Sequence, residues 1–239
     1  MDAIECIMTR RSIRKFMDVE IERTKLGIIF EAGAKAPSSG NIQNWKFFYV
    51  TQMDLKQKIA DACVQQGWIA TAPVIIVIAS EPDKASQFYG VRGERLYSIQ
   101  NCAAVAENML LAAHAQGLSS CWISAFNEES INKTLNMGHR YRPQVVLPLG
   151  YPDETVPEPL KLRIENLVIF EDQRAGGNGG GGRIKDLDWA VWHYNVLGRT
   201  IDNTQDSAKK LSKAGRRFFD LMRERFNKKK NDEKENQNK

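Results

Sequence analysis

The 239-residue sequence predicts an α+β or α/β domain with helices packed on a central sheet, and three observations carry that reading. Apolar residues recur at helical spacing in several segments, and short apolar runs bounded by turn residues fall between them. One long alanine-rich stretch also suits a helix buried in a core or a subunit interface, because small side chains let neighbours approach closely. With 42% hydrophobic and 26% charged residues the chain cannot be disordered throughout, and its 4 cysteines are too few for a disulfide scaffold.

The elements follow in order. Residues 2–9 and 24–34 have helical spacing, the second with Leu26, Ile29 and Phe30 on one face. Between them RRSIRKF, residues 10–16, reads as a basic turn. APSSGN at 36–41 is dense in turn residues and leads into WKFFYV, a strand at 45–50. Residues 54–66 predict a helix, and PVIIVIAS at 73–80 is the clearest buried strand. Gly90 and Gly93 punctuate a loop before a long helix at 94–115, which ends at Gly117. SCWISAF at 120–126 predicts a strand and its loop, 127–136 a short helix, QVVLPLG at 144–150 a strand, and LVIF at 167–170 a last strand.

The character changes near residue 174, which divides the chain into a main domain, 1–174, and an extension, 175–239. GGNGGGG at 176–182 predicts a flexible loop. Trp189, Trp192 and Val196 have helical spacing within 186–198, and 205–227 predicts a second amphipathic helix. The last residues are too polar to bury a core and read as a disordered tail. Residues 209–239 hold twelve basic and five acidic residues, a charge of +7, which leaves 22 basic and 24 acidic residues, or −2, for the rest. The basic balance therefore belongs to the tail, and a near-neutral body argues against a nucleic-acid-binding main domain.

Other classes are excluded by what is missing. No run of about 18 apolar residues offers a membrane span, and the N-terminus lacks the apolar core of a signal peptide, so the expected location is cytoplasmic. Cys6, Cys63, Cys102 and Cys121 lie far apart, as do His114, His139 and His193, so no metal site is expected. Gly176 and Gly181 have the spacing of a phosphate-binding loop, but Gly182 and Arg183 stand where Lys and Ser/Thr are needed.

Three short motifs carry chemistry. Arg10, Arg11, Ser12 and Arg14 put three guanidinium groups and a hydroxyl within five residues, a set that suits a phosphate dianion or, alternatively, a solvated surface. Pro37, Ser38, Ser39, Gly40 and Asn41, with Gln43 beyond, supply hydroxyls, amides and backbone N–H groups for the polar edge of a heteroaromatic ring, or form an ordinary loop. Lys161 and Arg163 would point the same way on an extended segment and close on one phosphate, unless they merely line a charged strand edge.

Four blocks in this order resemble the FMN-dependent nitroreductase family: RRSIRKF at 10–16, APSSGNIQNWKFFYV at 36–50, AAHAQGLSSCWISAF at 112–126 and VVLPLGYP at 145–152. The resemblance covers residues 1 to about 172 and implies a three-layer α/β/α sandwich around a mostly antiparallel sheet, in an interlocked homodimer with FMN at the interface. By motif, Arg10, Arg11, Ser12, Lys161 and Arg163 resemble the phosphate and ribityl contacts, and Arg14 the cation beside the pyrimidine edge. Pro37, Ser38, Ser39 and Asn41 resemble the loop given by the partner subunit, with Gln43 near it. Ser124 and Ala125 match the segment that aims backbone N–H groups at flavin N5, and Leu149 and Gly150 one lying close to the cofactor.

The implied activity is electron transfer from NAD(P)H to a nitroaromatic, a quinone or a similar small acceptor, in two alternating half-reactions. The chemistry would lie on the flavin, which needs no acid, base or nucleophile from the protein. A fixed cation such as Arg14 would stabilise the negative charge that reduction puts on the N1–C2=O edge. Where some relatives carry a second basic residue before the central strand, this chain has Gly67, Trp68 and Ile69. Two alternatives stay open: a specialised relative such as an aromatic reductive dehalogenase, and a structural or sensory flavin protein whose basic tail meets a macromolecule.

Overall fold

Four strands organise the chain in the order β1-β2-β4-β3, namely β1 (Trp45–Val50), β2 (Val74–Ser80), β3 (Ser119–Ser120) and β4 (Arg142–Gly150). Every neighbouring pair is antiparallel. This computed structural model describes residues 1–162 and Leu167, and Met1–Leu160 forms one compact unit.

The uninterrupted apolar run of β2 has a direct cause, since both faces of the sheet are covered. Val74, Ile76 and Ile78 face one layer, where α2 (Arg23–Ala34) and α5 (Ser98–Ala115) contribute Leu26, Ile29, Val105, Met109 and Leu110. Ile75, Val77 and Ala79 face the other, where α3 (Met53–Ala62) and α6 (Glu128–Thr134) contribute Ile59, Ala60 and Ile131. A strand with a period of two can supply both clusters only if every position is apolar. The result is the expected α+β sandwich, helices on both sides of an antiparallel sheet.

Several boundaries shift for identifiable reasons. The short α1 (Ala3–Thr9) starts at Asp2, whose carboxylate accepts the Glu5 N–H at 2.8 Å. α3 stops at Ala62 rather than 66, because Val64 and Gln65 adopt left-handed backbone, with φ of 60° and 55°. The basic segment 10–16 is extended rather than a turn, with bridges from Ser12 to Ser120 and from Phe16 to Pro152. Of the strand expected at 120–126, only Ser119–Ser120 pairs continuously, and Ile123 makes a single bridge to Val146.

The larger correction lies at 82–97. The loop expected around Gly90 and Gly93 is a helix, α4 (Pro82–Arg92), followed by a π-helical turn at Gly93–Tyr97 that runs into α5. Pro82 pre-sets the first turn, where its missing N–H costs nothing. Gly93 is helical and packs so close to the Ala85 carbonyl that a side chain would not fit. Both glycines therefore serve packing and a local kink within helical structure. The expected strand at 167–170 apart from exposed Leu167, the glycine run, both later helices, Arg163 and the boundary at 174 lie outside the described residues. Among the described residues, no helix is long and apolar enough to cross a membrane.

Candidate functional site

The basic block begins where α1 ends, with the Arg10 N–H bonded back to the Cys6 carbonyl at 3.1 Å. The chain then runs beside β3, and the Ile13 N–H donates to the Ser120 carbonyl at 3.1 Å. Ile13 and Phe16 turn inward and bury against Ala72, while Arg14 and Lys15 stay exposed. The alternation of basic and apolar residues thus becomes one anchored and one open face.

Ion pairing adds little here, although the Arg11 guanidinium also donates to the Met8 and Arg10 carbonyls at 3.0 and 2.9 Å. Arg10 meets Glu107 only at 4.0 Å, and Arg11 meets Glu158 at 3.8 Å. Both pairs are partly exposed, a setting in which such contacts contribute little. Arg14 lies over the Trp68 ring, 6.0 Å from its centroid, and has no carboxylate partner among the described residues. Trp68 thus lies beside a cation. Glu154 accepts the backbone N–H groups of Arg14 and Lys15 at 2.6 and 3.1 Å, and Asp153 pairs with Lys15 at 2.7 Å. These acids fix the backbone and leave Arg14 open.

Residues of the later blocks follow along β3 and β4. Ser120 pairs with Leu149 and Ser119 with Gly150, so β3 joins the basic segment to the end of β4. Burial pushes the Cys121 thiol up, while Arg14, Ser12 and Arg10 pull it down. His114, whose Nε2 lies 2.9 Å from the Thr9 hydroxyl, is lowered by burial and by Arg10 and Arg11. Ser124 and Ala125 follow the Ile123 bridge, are exposed, and have backbone N–H groups without a hydrogen-bond acceptor among the described residues. Leu149 is fully buried in the core, so it can face a ligand only through its backbone. At Gly150 a Cβ would meet the Pro73 ring at 2.8 Å and the Phe16 ring at 2.9 Å, so glycine lets the basic segment lie against β4.

The loop 37–43 is elsewhere. Leu149 pairs with Val74 at the start of β2, whereas Trp45, just after the loop, pairs with Ser80 at its end. At about 3.3 Å per residue the two groups stand roughly 20 Å apart, at opposite ends of the sheet. Asn41 and Gln43 both have left-handed backbone, with φ of 56° and 48°. Gln43 donates its N–H to the Ser38 hydroxyl at 3.1 Å and its side-chain amide to Asn41 Oδ1, also at 3.1 Å. Pro37 and Asn41 are exposed, and Ser38 and Ser39 are half-buried. Lys161 is exposed and starts a second unit, and Arg163 lies outside the described residues.

Sequence reading overlooked Asn44, Ser98 and Asn101, which are buried and hydrogen-bonded beneath this loop. A signal existed: Ser98 and Asn101 are polar residues three apart on one face of an alanine-rich helix, and buried polar groups need partners.

Comparison with known proteins gives one answer. The family model described as "Nitroreductase family" matches residues 7–69 and 62–151. A protein of Methanothermobacter thermautotrophicus named "Putative NADH dehydrogenase/NAD(P)H nitroreductase" is 31% identical over 160 residues, covering 64% of this chain and 79% of its own length. A crystal structure of a nitroreductase family protein from Clostridium novyi NT is 31% identical, with a TM-score of 0.60 over 64% of this chain and 87% of the other. The fold is shared further with a "putative nitroreductase in complex with FMN" from Exiguobacterium sibiricum, at 19% identity and a TM-score of 0.65 over 72% of this chain and 98% of the other.

Proposed function

The chain belongs to the nitroreductase family, and from that premise we propose that it is an FMN-dependent oxidoreductase passing electrons from NAD(P)H to a nitroaromatic, quinone or similar electron-poor acceptor. The observation that supports this reading is the open basic segment Arg10, Arg11, Ser12 and Arg14, bridged to Ser120, with the unbonded N–H groups of Ser124 and Ala125 further along the same run past the Ile123–Val146 bridge. The segment offers guanidinium groups and a hydroxyl for a phosphate, and the run beyond Ile123 offers backbone N–H groups for a ring nitrogen. That donor set fits FMN, which presents a dianionic phosphate at one end and acceptor atoms along the isoalloxazine edge.

Bound flavin supplies reversible two-electron chemistry, and the chain's residues bind and orient it. Arg10, Arg11 and Ser12 hold the phosphate end. Arg14, oriented by Trp68, places a fixed positive charge at the pyrimidine edge. Ser124 and Ala125 hold the ring by backbone donation, and Leu149 and Gly150 form the adjoining backbone. A flavin held by these residues would support two alternating half-reactions, with NAD(P)H as donor and the small molecule as acceptor.

The loop holding Pro37, Ser38, Ser39, Asn41 and Gln43 is too far from the basic block to serve the same flavin within one chain. A homodimer resolves this, with each subunit's loop completing its partner's site. The test is the visible spectrum of the purified protein before and after anaerobic NADH and NADPH. A flavin band that bleaches supports the reading, and replacing Arg10 and Ser12 together with alanine should strip the flavin. A protein that stays colourless after FMN is added refutes it.

A further inference from the structure

Beneath the loop 38–43 runs a chain of side-chain hydrogen bonds whose direction is fixed at both ends. Ser98 Oγ donates to the Gly93 carbonyl at 3.0 Å, and a carbonyl can only accept. Ser98 Oγ must therefore accept from Asn44, whose Nδ2 lies 2.9 Å away and also reaches the Glu81 carbonyl at 3.3 Å. That turns Asn44 Oδ1 toward Asn101, whose Nδ2 donates to it at 2.8 Å. Asn101 Oδ1 is then left for Ser39, accepting its N–H at 3.0 Å and its hydroxyl at 3.3 Å. Each amide orientation follows from its neighbours, without choosing between oxygen and nitrogen positions.

These groups bracket α4. The Glu81 N–H donates to the Asn44 carbonyl at 2.8 Å just before the helix, and Gly93 lies just after it. The helix and the loop are the two walls of a cleft of about 500 Å³, with Gly40–Gln43 on one side and Lys84, Phe88 and Tyr89 on the other. The loop wall also has left-handed backbone at Asn41 and Gln43, a costly conformation that persists only where the surroundings over-determine it. Asn44 and Ser98 are fully buried and Asn101 is 4% exposed, so water cannot take the place of a lost partner.

We propose that Asn101, acting with Asn44 and Ser98, is a positioning residue that sets the loop 38–43 against α4 and so holds the loop in the shape that reaches the flavin of the partner subunit. This rests on the proposed FMN-dependent function. The ionised aspartate at 101 still accepts from Ser39 but has no hydrogen to give Asn44, so at a pH that keeps it charged the chain breaks in the middle. Alanine at 98 breaks it at the far end and leaves Asn44 its bond to Glu81.

The test is FMN titration of full-length wild type, Asn101→Asp, Ser98→Ala and the double variant, with the melting temperature of each flavin-free protein recorded alongside. The expected result is an FMN dissociation constant raised about tenfold by Asn101→Asp and about threefold by Ser98→Ala, with the double variant no worse than Asn101→Asp alone, since both cut one chain. A purely structural role predicts lowered melting temperatures with unchanged FMN affinity in the folded protein, and that result overturns the inference. Effects that multiply in the double variant overturn it as well. Should Asn101→Asp not fold, unchanged FMN affinity in Ser98→Ala is decisive against it. Wild-type protein that takes up no FMN overturns the function and this inference together, whereas equal affinity in wild type and variants overturns this inference alone.

Discussion

Replacing Gly150 with alanine adds one methyl group at the point where the basic segment crosses the end of β4. The new Cβ would stand 2.8 Å from Pro73 Cδ, 2.9 Å from Phe16 Cδ1 and 3.1 Å from Phe16 Cβ. None of these atoms is the free end of a flexible chain. Pro73 is a ring at the start of β2, and Phe16 is buried with Ile13 and Ala72. Relief must come from moving the segment 12–16 or the strand, and overpacking of this kind costs about 1–3 kcal/mol. At about 2–4 °C per kcal/mol for a protein of this size, the melting temperature should fall by roughly 2–12 °C. The movement carries Ser12 and Arg14 with it, so FMN affinity should weaken several-fold. Thermal denaturation of the flavin-free protein measures the first effect and flavin titration the second. A Gly150→Ala protein that melts at or above the wild-type temperature would refute the packing argument, whatever its flavin affinity.

The same substitution should have the opposite sign at Gly27, in the exposed interior of α2 with no atom within 4 Å of the added Cβ. Gly27→Ala should stabilise by about 0.5–1 kcal/mol through the unfolded chain's lost freedom, read as a higher urea midpoint. Stability should fall as pH rises past 9.0, because burial pushes the Cys63 and Cys102 thiols from that value up to about 12. Between those values the folded state keeps protons that the unfolded state has lost, so each thiol costs about 1.4 kcal/mol at pH 10. Urea titrations at pH 8 and 10 check this, and a Cys63→Ala/Cys102→Ala protein should show a flatter decline. Burial lowers the Lys56 ammonium, which donates to the Ala72 carbonyl at 2.8 Å. Its folded form releases a proton before the unfolded form does, which offsets part of the decline below pH 10.5. Lys56→Met should therefore steepen the fall.

Much of the architecture is legible in the amino-acid sequence. The apolar run at 73–80 reads as the clearest buried strand, and the layers on the two sides of β2 bear that out. The alanine-rich helix ends at Ala115 as read, with Gly117 beyond it at a φ of 76°. The segment 82–93 differs from its sequence reading because two glycines within four residues look like a loop when their packing is unseen. Ala85 and the π-helical turn supply what propensity could not.

The sequence by itself determined which groups are available: three guanidiniums and a hydroxyl in five residues, and a run of turn residues rich in amides. It could not say which of them meet. That was decided by strand pairing between distant parts of the chain, since Ser12 reaches Ser120 and Ser120 reaches Leu149 only through register. The same register sends residues 37–43 to the far end of the sheet. Tertiary structure also decided the roles of Asn44, Ser98 and Asn101. A buried amide is intelligible only once the donor or acceptor opposite each of its atoms is in place, and those partners lie up to 62 residues away in the chain.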